Sequence, residues 1–266
     1  MSAGDAQRAV RRISARDNPL LVRLRKIAQD PAAARAAGQV WIEGEHLCSA
    51  LRARARPAAL ALLAESAADD VALCTLAQHA AQTIWLSDRL FAGVGGLPSP
   101  ARIGFVIELP RDAAIDPDAA SVVLDRVQDP GNVGSILRSA AAFGVTQVLA
   151  LQGTAALWSA KVLRAGMGAH FALRLAEGLK PDDLSRLRLP LLATGSHAGV
   201  LLPQAALPPR AAWVFGHEGQ GVDAALLSRC ALAVRIPQPG GEESLNVAAA
   251  AAVCLYESAR RGSVAQ

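Results

Sequence analysis

The chain has 266 residues, 52% of them hydrophobic but only 4% aromatic, so two compact domains or one large one can form around alanine, leucine and valine. No apolar run reaches the ~18 residues of a membrane span, and the basic start has no apolar signal core behind it, so a cytoplasmic protein is expected. The four cysteines sit singly in apolar segments and the five histidines are scattered, which points to neither a disulfide frame nor a metal site.

The net charge of +4 is unevenly spread. Residues 1–60 hold eleven Lys/Arg against five Asp/Glu, a balance of +6, and the remainder holds 16 against 18, or −2. A solvated helix face accounts for part of this front-loading. A phosphate backbone accounts for it better, because bound cationic side chains release its counterions. Arg11, Arg12, Arg16, Arg23, Arg25, Lys26 and Arg35 are the candidate RNA-binding residues.

Taken in order, the start reads as a frayed basic segment. Leu20, Leu24 and Ile27 recur at helical spacing. A strand is expected over 39–44, a helix over 45–56, a strand over 58–65, a helix over 69–80 and a strand over 83–87, with 102–109 closing the unit. Residues 110–120 are rich in Pro and Asp and weak in periodicity. The expected division is a smaller α/β domain over 1–112, a linker over 113–120 and a second domain over 121–266.

The second domain alternates again. Strands are expected at 121–127, 147–151, 171–176, 189–195, 211–216 and 232–237. Helices are expected at 133–143, 158–168, 181–188, 223–230 and 244–261. Apolar strands alternating with helices imply an α/β fold with a mostly parallel sheet covered on both faces.

In such a sheet, ligands sit at the carboxyl ends of the strands. Three polar or glycine-rich segments fall there. In "DPGNVGSILRSAAAFGV", Asn132 is suited to cap the helix, and Gly131 and Gly134 admit close approach of a ligand. Ile136, Ala140 and Phe143 should pack on the sheet. Arg138 shares a face with Gly134 and Ser135 and leans back toward the helix mouth, where the dipole favours anions. An N-cap with an exposed arginine is the plainer alternative.

"FGHEGQGV" sets Gly216, Gly219 and Gly221 around Glu218. It is neither a dinucleotide fingerprint nor a Walker loop, and a tight turn would explain the glycines. A carboxylate at a strand tip could accept from a hydroxyl or orient Arg138. In "IPQPGGEESLNVAAA", Ser244 can cap a long helix, Leu245 offers an apolar contact, and Asn246 presents both a donor and an acceptor.

Together these segments resemble the three motifs of the SpoU/TrmH-type RNA 2′-O-ribose methyltransferases of the SPOUT superfamily, over about 115–260. "ARAAGQVWIEGEHLCSAL" is similar, less specifically, to that family's RNA substrate-binding domain. The resemblance implies a deep trefoil knot in the carboxyl-terminal domain, a homodimer packed through the knots, and S-adenosylmethionine as cofactor. Its contacts would come from Thr194, Gly195, Phe215, Gly216, Gly219, Gly221, Ile236, Pro237, Ser244, Leu245 and Asn246. Arg138, Asn132, Glu218, Ser244 and Asn246 would form the catalytic set. Arg138 would be the general base or, because guanidinium holds its proton tightly, a phosphate binder that polarises the ribose hydroxyl. Asn132 and Glu218 would hold Arg138 and the ribose in line, and Ser244 and Asn246 would fix the adjacent phosphate or its loop. Gln238, where an apolar residue is frequent, and His217, at a variable position, are mild departures.

The implied function is methylation of a ribose 2′-hydroxyl in structured RNA. Ribosomal RNA is favoured over transfer RNA by analogy with proteins that carry a separate basic front domain. Two alternatives stay open: a transfer-RNA 2′-O-methyltransferase, and a non-catalytic ribosome-binding protein with a relic pocket. A dinucleotide enzyme is disfavoured by the missing glycine fingerprint.

Overall fold

The computed structural model describes residues 11–95, 101–109, 114–195, 199–240 and 244–264. The chain divides into two compact units, 1–110 and 111–266. The expected linker starts at 113, outside the described residues. Its remainder is bonded into the second unit: the Asp116 N–H donates to Gln147 Oε1 at 2.8 Å.

The first unit runs β1 (Arg11–Ile13), α1 (Pro19–Gln29), α2 (Pro31–Ala37), β2 (Gln39–Glu43), α3 (Glu45–Ala53), β3 (Ala58–Ala64), α4 (Val71–Ala77), β4 (Ala80–Leu86), α5 (Asp88–Gly95) and β5 (Ile103–Glu108). Its sheet has the order β1-β4-β3-β5-β2. β1, β4 and β3 are mutually parallel, whereas β5 runs antiparallel to β3 and β2.

Three expectations need correction here. Residues 11–13 form an edge strand rather than a frayed start, because Ile13 is buried in the core and carries its neighbours into register with β4. Ala80, expected to end a helix, and residues 81–82, expected in neither element, belong to β4. α2 and α5, each a single short turn-rich helix, were not expected. α2 is bounded by an Asp30 cap with Pro31 in its first turn and by the left-handed Gly38, signals too close together to leave a visible period.

The second unit contains β6 (Ser121–Leu124), α6 (Pro130–Ala142), β7 (Gln147–Leu151), α7 (Ala160–Gly166), β8 (Arg174–Leu179), β9 (Leu191–Thr194), β10 (Val200–Leu201), β11 (Ala212–Phe215), α8 (Ala224–Leu227), β12 (Leu232–Arg235) and α9 (Val247–Val264). The sheet order is β10-β12-β9-β11-β6-β7-β8, and each strand pairing is parallel. Alternate residues of each strand face opposite cores. Val122, Leu124, Leu192, Trp213 and Phe215 meet Val133, Ile136, Leu137 and Ala140 of α6 and Ala251, Cys254 and Leu255 of α9. Val123, Leu191, Ala193, Ala212 and Val214 meet Leu184 and Leu226. Full burial of such side chains stabilises by about 1.5–3 kcal/mol each, which is why both faces of these strands are apolar.

α9 is also tied by polar contacts. Trp213 Nε1 donates to Ser258 Oγ at 2.9 Å, and Arg261 Nη2 donates to the Leu202 and Pro203 carbonyls at 3.0 Å. Gly134 serves this packing and not a ligand. A Cβ there would lie 2.4 Å from Ala165 Cβ and 2.7 Å from the Gly166 nitrogen, so the glycine lets α6 and α7 touch. Phe143 is half-buried against this core and also packs edge-on to Tyr256 of α9. The four cysteines are free, and burial pushes the Cys254 thiol up to about 12. No described helix is long and apolar enough to cross a membrane.

Candidate active site

Because the second sheet is parallel, its strands deliver their carboxyl ends to one edge. Leu124 stands opposite Phe215, and Thr194 opposite Val234. The segments that follow β6, β9, β11 and β12 therefore emerge together. The Gly195 N–H donates to the Val234 carbonyl at 3.0 Å, holding two of them.

The segment after β6 leads into α6 through a different cap from the expected one. Asp129, not Asn132, is the N-cap: its carboxylate accepts the Asn132 N–H at 2.8 Å, with Pro130 in the first turn. The helix therefore begins three residues early, and the Asn132 side chain is released for other partners. Its Nδ2 donates to Glu218 Oε1 at 3.1 Å, and its Oδ1 accepts from Asn246 Nδ2 at 2.9 Å. Asn246 in turn caps α9, accepting the Ala248 and Ala249 N–H groups at 2.9 and 3.3 Å. Ser244, expected as that cap, lies two residues before it in an exposed loop.

Glu218 completes this junction. It accepts the N–H groups of Gln128 and Asp129 at 3.2 and 3.0 Å besides the Asn132 amide. Burial opposes its charge, but the hydrogen bonds from the Asn132 side chain and from the Asp129 and Gln128 backbone outweigh it. They hold the carboxyl below its ordinary range. The carboxylate thus binds the mouth of α6 rather than Arg138.

A second, buried tether lies beneath. Asp125 accepts from Arg126 Nε at 2.9 Å and Nη2 at 3.1 Å, and from the Asp223 N–H at 2.7 Å. Arg126 Nη1 reaches Gln220 Oε1 at 3.0 Å. Arg126 takes φ of 59°, an unfavourable left-handed backbone for a non-glycine residue. The Asp125 pair and the Thr154 hydroxyl, which accepts the Arg126 N–H at 3.1 Å, keep it there. These residues span 98 positions and were missed in the sequence; the dipeptide "DR" carries no periodic or spacing signal.

Above the sheet edge lies a cleft of about 750 Å³, within the range of small-ligand sites. Thr194, Gly195, Gly216, Gly219, Gly221, Ile236, Ser244, Leu245 and Asn246 line it, as do His217, Glu218 and Gln238. Phe215 is buried beneath it, and Pro237 is not among the lining residues. Gly216 is required by space: a Cβ would meet the Gly221 carbonyl carbon and the Val222 nitrogen at 2.2 Å. The loop folds back on itself there, with the His217 and Gly221 backbones exchanging hydrogen bonds at 3.0 and 2.8 Å.

Arg138 lies elsewhere. It is exposed, on the side of α6 shared with Ser135 rather than with the buried Gly134, and it is not among the cleft-lining residues. Among the described residues it has no hydrogen-bond or ion-pair partner. In the first unit, Arg11, Arg12, Arg16, Arg23, Lys26 and Arg35 are exposed. Arg25 is half-buried and donates to the Arg16 carbonyl at 2.8 Å, so it braces that turn.

Residues 119–256 match the SpoU rRNA Methylase family. The 23S rRNA (guanosine(2553)-2′-O)-methyltransferase RlmP of Bacillus subtilis is 35% identical over 179 residues, covering 66% of this chain and 71% of that protein. A crystal structure of an RNA 2′-O ribose methyltransferase is 29% identical, covers 95% of this chain and 99% of its own, and superposes with a TM-score of 0.78. The fold is also that of AviRb from Streptomyces viridochromogenes, solved in complex with AdoMet, at a TM-score of 0.84, 23% identity and coverage of 92% of this chain and 98% of that one.

Proposed function

The chain belongs to the SpoU rRNA methylase family, and from that premise we propose that it transfers a methyl group from S-adenosylmethionine to a ribose 2′-hydroxyl of ribosomal RNA in the cytoplasm. One observation carries the reading beyond fold: Asn132, Glu218 and Asn246, one from each motif, form a continuous hydrogen-bonded junction beside the cleft. A core-packing role would not require three polar side chains from three strand ends to meet.

The cleft's own atoms suit the cofactor. With no side chain, Gly216 lets the loop close on itself at the cleft wall. Gln238 lines the cleft and holds a buried Oε1 with no hydrogen-bond partner among the described residues, a cost of about 1–3 kcal/mol unless a donor reaches it. Thr194, Gly195, Gly216, Ile236 and Leu245 would hold the nucleoside, with Ile236 and Leu245 supplying apolar contact. When bound, S-adenosylmethionine supplies an electrophilic methyl group on a sulfonium sulfur.

The chain's residues supply positioning. Glu218 and Asn246 hold Asn132 at the mouth of α6, where the helix N-terminus favours a phosphate. Ser244, exposed in the loop ahead of α9, would meet the RNA backbone. A guanidinium offers donors and no acceptor, so Arg138 would grip the flanking phosphate and polarise the 2′-hydroxyl. Orientation of this kind can supply roughly 7–11 kcal/mol of a barrier.

Arg138 stands outside the cleft lining of its own chain, which favours an assembly in which it serves the cleft of a second copy. The threaded carboxyl terminus and the homodimer belong to this reading. Exposed Val253 and Tyr256 on α9 support an apolar pairing face. The exposed arginines of the first unit support it as the RNA-gripping domain, and the division into domains at about 110–120 goes with it. The test is Arg138→Ala. Methyl incorporation into ribosomal RNA should vanish while calorimetric binding of the cofactor persists. Substantial turnover in that variant would remove Arg138 from the chemistry, and mixing it with a cleft variant should restore activity only if the copies share sites.

A further inference from the structure

His217 does more than shape its turn. Its Nδ1 accepts the Gly219 N–H at 3.0 Å and the Gln220 N–H at 3.2 Å. A ring nitrogen that accepts two backbone hydrogens carries no proton, so the proton of the neutral ring sits on Nε2. The loop therefore selects the tautomer. Nε2–H lies on the far side of the ring, without a partner among the described residues, and His217 is a half-buried residue of the cleft wall.

The cleft's other charged groups narrow what this donor serves. The Glu218 carboxylate is spent on Gln128, Asp129 and Asn132. Arg235 is exposed at the end of β12. Gln238 has its amide oxygen buried. His217 is thus a side-chain donor of fixed orientation at the cleft wall, beside glycine-loop backbone that can approach closely.

We infer that His217 is a positioning residue for the cofactor, its Nε2–H holding the carboxylate of the amino-acid arm. This rests on the reading of the cleft as the methyl-donor site. A carboxylate is the strongest acceptor on such a ligand, and charge assistance makes that contact roughly twice as strong as a neutral one. Fixing the arm sets the direction in which the methyl group is presented.

The loop also suggests the variant that separates the two jobs of the ring. In His217→Asn, the side-chain Oδ1 falls near the place of Nδ1 and can accept the same two N–H groups, as asparagine does in its own turns. The Nε2 donor is lost. Calorimetry on the full-length protein would compare S-adenosylhomocysteine, which has the carboxylate, with 5′-methylthioadenosine, which lacks the amino-acid arm. In His217→Asn the first should weaken about tenfold, the scale of one charge-assisted hydrogen bond, while the second is unchanged and the unliganded melting temperature is kept. Equal affinity changes for both compounds, or none for either, would overturn the proposal and leave the cofactor reading standing. Wild-type protein that binds neither compound would overturn both. Weakened capture of RNA with the two affinities untouched would assign the donor to the nucleic acid instead.

Discussion

Replacing Glu218 by glutamine tests whether the junction of the three motifs is held by a carboxylate. The shape is kept, but an amide offers one acceptor atom and one donor atom where the carboxylate offers two acceptors. In the better orientation the amide oxygen retains the Asp129 N–H and the Asn132 side chain, and the amide nitrogen then faces the Gln128 N–H, donor against donor. Hydrogen bonds to a charged acceptor contribute about 1.5–3 kcal/mol and neutral ones about 0.5–1.5. One bond lost and two weakened come to roughly 3.5–5 kcal/mol, and exposure to water reduces this to about 1–2 kcal/mol. At ~2–4 °C per kcal/mol for a unit of this size, Glu218→Gln should melt about 3–6 °C below wild type at pH 7. The pH dependence fixes the cause. The folded-state value of Glu218 is depressed, so its contribution is present above the ordinary value near 4.5 and is lost as pH falls through the folded one. Thermal melts followed by circular dichroism at pH 7 and pH 3 should therefore show a gap that closes on acidification. Equal melting at pH 7, or an undiminished gap at pH 3, would refute the carboxylate clamp.

Gly216→Ala should lower cofactor affinity at least tenfold, read by calorimetry, because the added Cβ meets backbone of residues 221 and 222 at 2.2 Å and must open the loop. Gly134→Ala should cost about 1–3 kcal/mol in urea unfolding, since it forces α6 from α7; a neutral result would mean the helices separate freely. His170 is buried with Nε2 on the Leu157 carbonyl at 2.8 Å and Nδ1 unpartnered among the described residues, and burial pushes its value down to about 4. The unfolded chain takes the proton first, so stability should fall between pH 6.5 and 4, by about 3 kcal/mol in all. A denaturation series against pH should show that loss, and His170→Gln should flatten it.

The chain's linear pattern determined the parallel sheet and the three segments at its edge. Residues 148–151 and 211–215 are apolar at every position, the near-continuous pattern of strands buried on both faces. The candidate residues Asn132, Glu218 and Asn246 were likewise legible as polar groups at strand-to-helix turns. Their partners were not. Asp129 outcompeted Asn132 for the cap because Pro130 is preorganised for the first turn, and that choice turned Asn132 toward Glu218 and Asn246. Gly134 looked like a ligand contact until α7 was seen to lie against it. Asp125 and Asp223 are 98 residues apart, and no local spacing connects them. Periodicity records which face of an element is buried. Which polar atoms meet is decided only when the parallel strands bring distant loops to a common edge, and so the cleft, the tautomer of His217 and the outlying position of Arg138 belong to the tertiary structure alone.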